Sequence, residues 1–336
     1  MKIKGNFQIN KIKSIFVRPS IIDFKYNHIK MESIKQEFIL DIHNYEIVEK
    51  LREGGFATVY IAKEKSTDNI YAAKVINAKG KKMADDKMIM REIEILSEIQ
   101  GPGIVPFRGI STTNFDSEEY PTIFTKYMKN GSLGEIIRQE KINKSPVDWN
   151  NTAKMINIYG ICVAMSFLHK NNIIHKDLKP DNVLLDEKYY PYISDFGMAI
   201  FMNGKTNTKT PNGGTPIFMA PEIYMNNPYT SKVDVYAFGM LLYQLISKKE
   251  PFGEFRRNTF MLWHKILSDA RPEFTDDFPE SFKVLIQKCW SGKPENRPSF
   301  DEIIQMIDAR QVFLPDVDND EFEKYKIVIE QSKVKQ

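Results

Sequence analysis

The side chains best suited to chemistry lie in a short polar block between two apolar stretches. Residues 173–185 read IIHKDLKPDNVLL, and the apolar ends should fix the loop that carries Asp177, Lys179 and Asn182. A carboxylate such as Asp177 can orient a hydroxyl group and accept its proton. The ammonium of Lys179 can neutralise a phosphoryl group in transfer, and the amide oxygen of Asn182 can bind a metal ion. The pattern is typical of a phosphoryl-transfer site.

A second set of charged residues lies on predicted elements outside this loop. Asp195 follows a short predicted strand at 192–194 and is a natural magnesium ligand. Lys74 ends a predicted strand, and Glu92, 18 residues later, lies within about 60° of Ile89 on the apolar face of a predicted helix. Because unpaired buried charge is unfavourable, we expect Lys74 and Glu92 to pair and to hold the ammonium toward phosphate groups. Two unrelated solvated charges are the alternative.

A glycine turn is the third candidate. Residues 51–60 read LREGGFATVY, and the adjacent glycines, Gly54 and Gly55, would allow the backbone to approach phosphate oxygens closely. Taken alone, this segment is equally compatible with a plain hairpin turn.

The elements that must position these residues form two groups. Alternating or β-rich segments predict antiparallel strands at 45–52, 57–64 and 70–77, a helix at 84–100, and strands near 104–111 and 121–127. Beyond Gly131 the pattern is mainly helical, with candidates at 132–140, 151–170, 230–247, 258–268, 280–290 and 300–308. The sequence therefore predicts an α+β protein with a small β-rich lobe followed by a larger α-helical lobe.

Three motifs in this order resemble the signature set of the protein kinase family: HKDLKPDN at 175–182, DFG at 195–197 and APE at 220–222. The resemblance covers about residues 45–310. It implies the bilobal kinase fold, with an N-lobe at 45–126, a hinge at 126–130 and a C-lobe at 131–310. ATP would bind in the cleft between the lobes and its γ-phosphoryl group would pass to a protein substrate.

The resemblance also implies roles for individual residues. Asp177 would be the catalytic base, and the full catalytic set would be Asp177, Lys179, Lys74 and Glu92. Asn182 and Asp195 would hold Mg. The ATP site would consist of Arg52, Glu53, Gly54, Gly55, Phe56, Ala57, Val59, Ala72, Lys74, Thr125, Lys126, Met128 and Leu184, with Thr125 at the gatekeeper position.

Two structural roles follow from the same resemblance. Asp234 would anchor the backbone of the catalytic loop from a helix. Glu222 and Arg297 would form a buried salt bridge.

Details of the motifs bear on the subgroup. The Cys-Trp…Arg-Pro ending at 289–298 resembles the tyrosine-kinase-like group, whereas Lys179 and the pair Gly214 and Thr215 follow the serine/threonine pattern. We therefore expect a serine/threonine kinase. A dual-specificity or tyrosine kinase and a pseudokinase scaffold that binds partners without transfer are the alternatives.

The sequence departs from the family pattern at three positions. Arg52 and Ala57 replace two of the three glycines of the phosphate loop, and only Gly54 is kept. Lys176 replaces the arginine that commonly precedes the catalytic aspartate and receives an activation-loop phosphate; lysine keeps the charge but lacks the bidentate fork. Thr206, Thr208 and Thr210 are the candidate phosphorylation sites, and Thr215 is expected to be structural.

Composition excludes several other classes. The net charge of +3 combines +5 in residues 1–40 with −2 in the remainder, so the main body lacks the basic surface of a nucleic-acid-binding protein. The two cysteines, Cys162 and Cys289, suggest neither a disulfide framework nor a zinc site, which favours a cytoplasmic protein. The longest apolar run, about 12 residues, is too short to cross a bilayer.

The segments outside the predicted kinase domain receive separate interpretations. Residues 1–40 are expected to form a flexible basic arm that makes weak contacts with partners or anionic surfaces, with a plain solvated tail as the alternative. Residues 311–336 are expected to form a C-terminal extension with helical character.

Overall fold

The computed structural model describes residues 34–54, 57–76, 83–202, 214–225, 227–255 and 257–334. In this part of the chain, the first lobe is built on a five-stranded antiparallel sheet in the order β1-β2-β3-β5-β4. The strands are β1 (Tyr45–Glu53), β2 (Ala57–Glu64), β3 (Ile70–Ile76), β4 (Phe107–Ser111) and β5 (Thr122–Lys126). One long helix, α1 (Met83–Glu98), packs against this lobe next to β4.

The second lobe is mainly helical. Its helices are α2 (Leu133–Lys141), α3 (Asn151–Lys170), α4 (Pro221–Tyr224), α5 (Lys232–Ser247), α6 (Thr259–Leu267), α7 (Glu280–Cys289), α8 (Phe300–Asp308) and α9 (Asn319–Val334). Two short strand pairs lie at its upper surface: β6 (Ile173–Ile174) with β9 (Ile200–Phe201), and β7 (Val183–Leu185) with β8 (Pro191–Ile193). The predicted α+β, two-lobed architecture is confirmed.

Local sequence explains where several of these helices begin. Ser132 and Glu135 form a capping box at the start of α2, and Ser299 and Glu302 form another at α8. The side chain of Asn150 caps α3 by accepting a bond from the amide of Ala153. Helices α3 and α5 are buried along most of their lengths, as expected for helices that are apolar on nearly every face.

The strand predicted at 104–111 is shorter in the structure and begins at Phe107. Residues 104 and 105 pair with the second lobe instead: Ile104 forms a bridge with Ile193, and Val105 donates its amide to Ile193 O (3.0 Å). Pro106 O accepts from the amide of Lys126 at the end of β5 (2.9 Å). Pro106 has no amide hydrogen to contribute to a ladder, which explains why the sheet excludes this end of the predicted strand. The helix predicted at 84–100 likewise ends at Glu98.

The sequence predicts that residues 34–40 belong to a flexible arm. In the structure these residues instead pack on the edge strand β4. Phe38 and Phe107 have ring centroids 5.1 Å apart, and the amide of Leu40 donates to Ile110 O (2.7 Å). Gly109, with φ of +149°, makes room for this contact, since a Cβ atom there would lie 2.4 Å from Phe38 O. Burial of apolar side chains on the sheet stabilises the segment. The remainder of the predicted arm lies outside the described residues.

The segment predicted as a C-terminal extension ends in α9, which packs on α3. Phe322, Tyr325 and Ile329 point from α9 into the core and are almost fully buried. The ring of Phe322 meets that of Tyr159 edge-on at 5.6 Å, and Lys326 forms a salt bridge with Asp308 at 2.7 Å. The extension is therefore helical and is part of the packed second lobe.

Candidate active site

The carboxylate of Asp177 is held by four hydrogen bonds. Oδ1 accepts from the amide and the hydroxyl of Thr215 (2.9 and 3.1 Å). Oδ2 accepts from Lys179 Nζ (2.6 Å) and Asn182 Nδ2 (3.0 Å). Lys179 Nζ also donates to Thr215 Oγ1 (2.7 Å), so the three side chains around the carboxylate form one connected network. Such a network fixes the orientation of the carboxylate.

The backbone that carries Asp177 is anchored by Asp234 of α5. Asp234 is fully buried, and its two oxygens accept the amides of His175 and Lys176, each at 2.9 Å. His169 adds a contact from Nε2 to Oδ2 at 2.9 Å. Burial alone would raise the pKa of Asp234, but the hydrogen bond from His169 and the bond from the backbone amide of His175 act against burial, and the pKa is lowered. The predicted anchoring role of Asp234 is confirmed.

His175 connects this loop to the segment that carries Asp195. Its Nδ1 accepts the amide of Asp177 (3.3 Å), and its Nε2 lies 3.1 Å from Ser194 O, which can only accept. The two contacts together require the neutral tautomer with hydrogen on Nε2. The ring also meets Phe196 edge-on at 5.2 Å. His175 thus fixes the two acidic loops relative to each other.

The predicted pair of Lys74 and Glu92 is present. Lys74 Nζ donates to both carboxylate oxygens of Glu92, at 2.9 and 2.7 Å, and lies 3.6 Å from Asp195 Oδ1. Burial alone would lower the pKa of Lys74, but Glu92 and Asp195 outweigh it and raise the pKa. Lys74 in turn lowers the pKa of Asp195. The ammonium therefore links the sheet, α1 and the Asp195 segment in the charged state.

The amide of Asn182 is oriented so that its oxygen is available to a ligand. Nδ2 donates to both O and Oδ2 of Asp177, at 2.8 and 3.0 Å. Because Nδ2 is identified by its two acceptors, Oδ1 is the remaining polar atom of the amide. Asn182 and Asp195 line the same cleft, and Asp195 adopts a left-handed backbone conformation with φ of +63°. Amide and carboxylate oxygens are the donors that magnesium prefers.

The cleft between the lobes has a volume of about 1510 Å³, and most of the predicted nucleotide-binding residues line it. It exceeds the usual range for a single small-molecule pocket because it continues into a groove between α2 and α6. The structure brings the following predicted residues to its wall: Arg52, Gly54, Ala57, Val59, Ala72, Lys74, Thr125, Lys126, Met128 and Leu184.

Three residues of the predicted nucleotide site are not among those lining residues. Glu53 ends β1 and forms a salt bridge with Lys50 on the strand. Gly55 and Phe56 lie outside the described residues. In the hinge, the amide of Lys126 already donates to Pro106 O, which leaves ligand recognition to other backbone groups.

Lys176 lies beneath the cleft in an unusual setting. Its side chain is buried, its backbone has φ of +67°, and its Nζ lies 5.4 Å from the centre of the Tyr229 ring. Burial and the nearby charge of Arg91 lower the pKa of Lys176 to about 8. Thr206, Thr208 and Thr210, the predicted phosphorylation sites, lie outside the described residues.

The predicted bridge between Glu222 and Arg297 is confirmed. Arg297 Nη1 and Nη2 donate to the two oxygens of Glu222 at 2.6 and 2.9 Å, across a sequence separation of 75 residues. The guanidinium is fully buried and also donates to Lys232 O and Ser291 O. This bidentate geometry fixes the segment that follows Thr215 to the base of the second lobe.

Sequence reasoning missed two parts of the site. It expected Thr215 to be structural but did not predict its two bonds to Asp177, which cross 38 residues of sequence. It also gave His175 no role. The HKD spacing holds a signal for His175, since a side chain two positions before a loop aspartate can accept the amide of that aspartate.

The fold and site together define a protein kinase domain. A family model described as protein kinase domain matches residues 45–307, and the chain belongs to this family. Among similar proteins, the dual specificity protein kinase shkB of Dictyostelium discoideum is 28% identical over 291 residues, covering 84% of this chain and 42% of that protein.

Two further relatives come from other lineages. The putative serine/threonine-protein kinase/receptor R818 of Acanthamoeba polyphaga mimivirus is 31% identical over 302 residues, covering 85% of this chain and 17% of that protein. The human receptor-interacting serine/threonine-protein kinase 3 is 29% identical over 294 residues, covering 80% of this chain and 53% of that protein. The chain thus spans about half of these relatives or less.

None of the helices in the described part of the chain has both the length and the apolar character that a membrane crossing requires.

Proposed function

We propose that the chain is an ATP-dependent protein kinase that transfers the γ-phosphoryl group to serine and threonine hydroxyls of protein substrates. The observation that carries this proposal is the connected network of Asp177, Lys179 and Thr215 at one wall of the cleft that also contains Lys74 and Asp195. It provides a carboxylate for the acceptor hydroxyl and cations for the phosphoryl group.

Nucleotide and metal have residues that fit them. Lys74, held by Glu92, would contact phosphate oxygens of ATP, and the apolar side chains of Val59, Ala72 and Leu184 would enclose the base. Asn182 Oδ1 and Asp195 would hold magnesium, which when bound neutralises charge on the phosphates. The oriented amide of Asn182 supports this assignment.

The chain's own groups then have distinct tasks. Asp177 orients the acceptor hydroxyl and takes its proton at a carboxylate oxygen. Lys179 Nζ, 2.6 Å from Asp177 Oδ2, places a positive charge where negative charge develops on the transferring group. His175 and Asp234 hold the loop in place. Positioning and electrostatic stabilisation account for most of the catalysis in this reaction class.

Serine/threonine specificity is supported by the bond from Lys179 to Thr215, which uses the two residues that mark this pattern in the sequence. Two of the relatives carry serine/threonine in their names, and one carries dual specificity. Dual specificity is therefore the second candidate. A scaffold protein that binds partners without phosphoryl transfer is favoured only by the replacement of two phosphate-loop glycines by Arg52 and Ala57. A cytoplasmic location stays a prediction of the sequence.

Transfer of labelled phosphate from ATP tests the proposal. The purified chain is incubated with Mg-ATP and generic acceptor proteins, one basic and one acidic, and compared with Asp195→Asn. We expect labelled phosphoserine and phosphothreonine with the unmodified chain and almost none with the variant. Equal label from both proteins would indicate a contaminating kinase. Binding of nucleotide without transfer by the unmodified chain would establish the scaffold, and labelled phosphotyrosine would establish dual specificity.

A further inference from the structure

The groove that extends from the acceptor site ends among basic residues. From Lys179 and Thr215 it runs between α2 and α6, where Arg138 and Lys141 line it from α2 and Lys248 lines it from the end of α5. The acidic side chains that line this stretch are Asp181, Glu250 and, in the first turn of α2, Glu135, which accepts the amide of Ser132. An extended peptide with its hydroxyl at Asp177 would place neighbouring side chains along this groove.

Two carboxylates near the groove, Asp181 and Glu140, are engaged by cations. Arg138 Nη1 lies 2.9 Å from Asp181 Oδ1, so these two charges offset each other. Lys248 Nζ lies 3.3 Å from Glu140 Oε1, but the same oxygen is bound more closely by Lys154 Nζ, at 2.6 Å. Two cations thus share one carboxylate.

The contacts around Glu140 show which of its two lysine partners it binds more closely. Trp149 Nε1 donates to Glu140 Oε2 at 3.0 Å, and Lys154 is largely buried beside it. Lys248 is 42% exposed at the groove, and Lys141 is exposed one turn beyond Arg138 on α2. Lys154 is therefore the main partner of Glu140, and Lys141 and Lys248 remain as lysines on the groove wall, which also carries Glu250.

We propose that this basic end of the groove, formed by Lys141 and Lys248, selects protein substrates with aspartate or glutamate near the acceptor hydroxyl. The inference rests on the proposed kinase function and names its substrate class. Carboxylates complement the charges of Lys141 and Lys248, whereas lysine or arginine at the same substrate positions would face these two cations. Because the groove is continuous with the site at Asp177, the contact acts on the same extended peptide.

A positional peptide series tests the proposal. Each peptide has one serine, with glutamate, alanine or lysine placed in turn within about six residues on either side, since an extended chain spans roughly 20 Å over that length. We expect kcat/KM for the best glutamate peptide to exceed that of its lysine counterpart by about tenfold or more at low salt. The difference should shrink at high ionic strength.

Charge reversal identifies the residues responsible. In Lys141→Glu and Lys248→Glu, alone and combined, the ratio between glutamate and lysine peptides should fall stepwise and invert in the double variant. Lys144→Glu, an exposed position that does not line the groove, is the control and should keep the original ratio. The alanine peptide reports on basal turnover, and Lys248→Gln provides a milder change should the reversal impair folding.

The outcomes separate this inference from the function on which it rests. Phosphorylation of the alanine peptide with no preference for glutamate at any position would overturn the acidic-substrate assignment and leave the kinase function intact. An unchanged preference in the double variant would overturn the assignment to Lys141 and Lys248. Absence of transfer to every peptide and to both generic proteins would overturn both proposals.

Discussion

The Nζ atom of Lys176 lies 5.4 Å from the centre of the Tyr229 ring, and the lysine side chain is only 7% exposed. Its backbone amide donates to Asp234 Oδ1 at 2.9 Å, which fixes the backbone from which the side chain extends. Burial lowers the pKa of Lys176 to about 8, and the charge of Arg91 acts in the same direction. The cation is thus kept at a position where it is weakly hydrated.

This environment predicts a pH dependence of stability. The pKa of Lys176 is about 8 in the folded chain against 10.5 for an ordinary lysine, so the unfolded state binds more protons between these values. The free energy of unfolding should therefore rise with pH from about 8 toward 10. Lys176→Met should flatten this rise, as measured by urea unfolding at several pH values.

The control for that measurement is Lys188→Met. Lys188 also lies over a tyrosine ring, Tyr190, at 6.0 Å, but it is exposed. Its removal should leave the pH dependence unchanged. A rise of the same slope in the Lys176→Met variant would show that Lys176 is not the titrating group.

Asp177→Asn should lower kcat by about 10²- to 10⁴-fold, because an amide cannot accept the proton of the acceptor hydroxyl. The single oxygen of the asparagine can still accept from Thr215, but its Nδ2 then faces the donors Lys179 Nζ and Asn182 Nδ2, so the melting temperature should fall while the chain still folds. Steady-state kinetics with a serine peptide provide the measurement, with the exposed Asp148→Asn as the matched control. Turnover at the rate of the unmodified chain would exclude Asp177 as the base.

Arg52→Gly should lower the KM for ATP or raise kcat. Arg52 lies at the cleft wall on β1, opposite Val59 of β2, and glycine would restore a flexible turn beside the nucleotide. Glu49→Gly on the same strand, away from the cleft, controls for the loss of strand stability. A higher KM in the Arg52 variant alone would show that the guanidinium makes a favourable contact with ATP.

Gly109→Ala should destabilise the first lobe by more than about 1 kcal/mol, since alanine is strained at positive φ and its Cβ atom would collide with Phe38 O. Gly253→Ala is the control, because the added Cβ atom there meets only ordinary contacts at 3.5 Å. Chemical denaturation measures both. Equal stability of the two variants would mean that residues 34–40 move away from β4 at little cost.

Local patterns predicted most elements and the main charged residues of the site. The helical pattern at 132–140, the apolar face around Glu92 and the apolar flanks of the Asp177 loop are signals within a few residues of sequence. The bond between Lys74 and Glu92 followed because burial of either charge requires a partner. Each of these features follows from residue types and spacings that are visible in the sequence itself.

Other features depend on contacts between distant segments. The bonds from Thr215 to Asp177 depend on the tertiary packing of the second lobe, and the packing of Phe38 on β4 depends on the small size of Gly109, 71 positions later. The start of β4 at Phe107 is set by the second lobe, which takes the amide of Val105. Periodicity carries no information on such pairings, because the partners are specified by tertiary packing.

The four hydrogen bonds to Asp177 have a consequence for substrate entry. A carboxylate has about four lone-pair positions, and Thr215, Lys179 and Asn182 together occupy that number. In the proposed reaction, an arriving hydroxyl would exchange with one of these donors, and the hydroxyl of Thr215 is the donor that most resembles it. Thr215 would then take the place of the acceptor between turnovers and keep the carboxylate oriented.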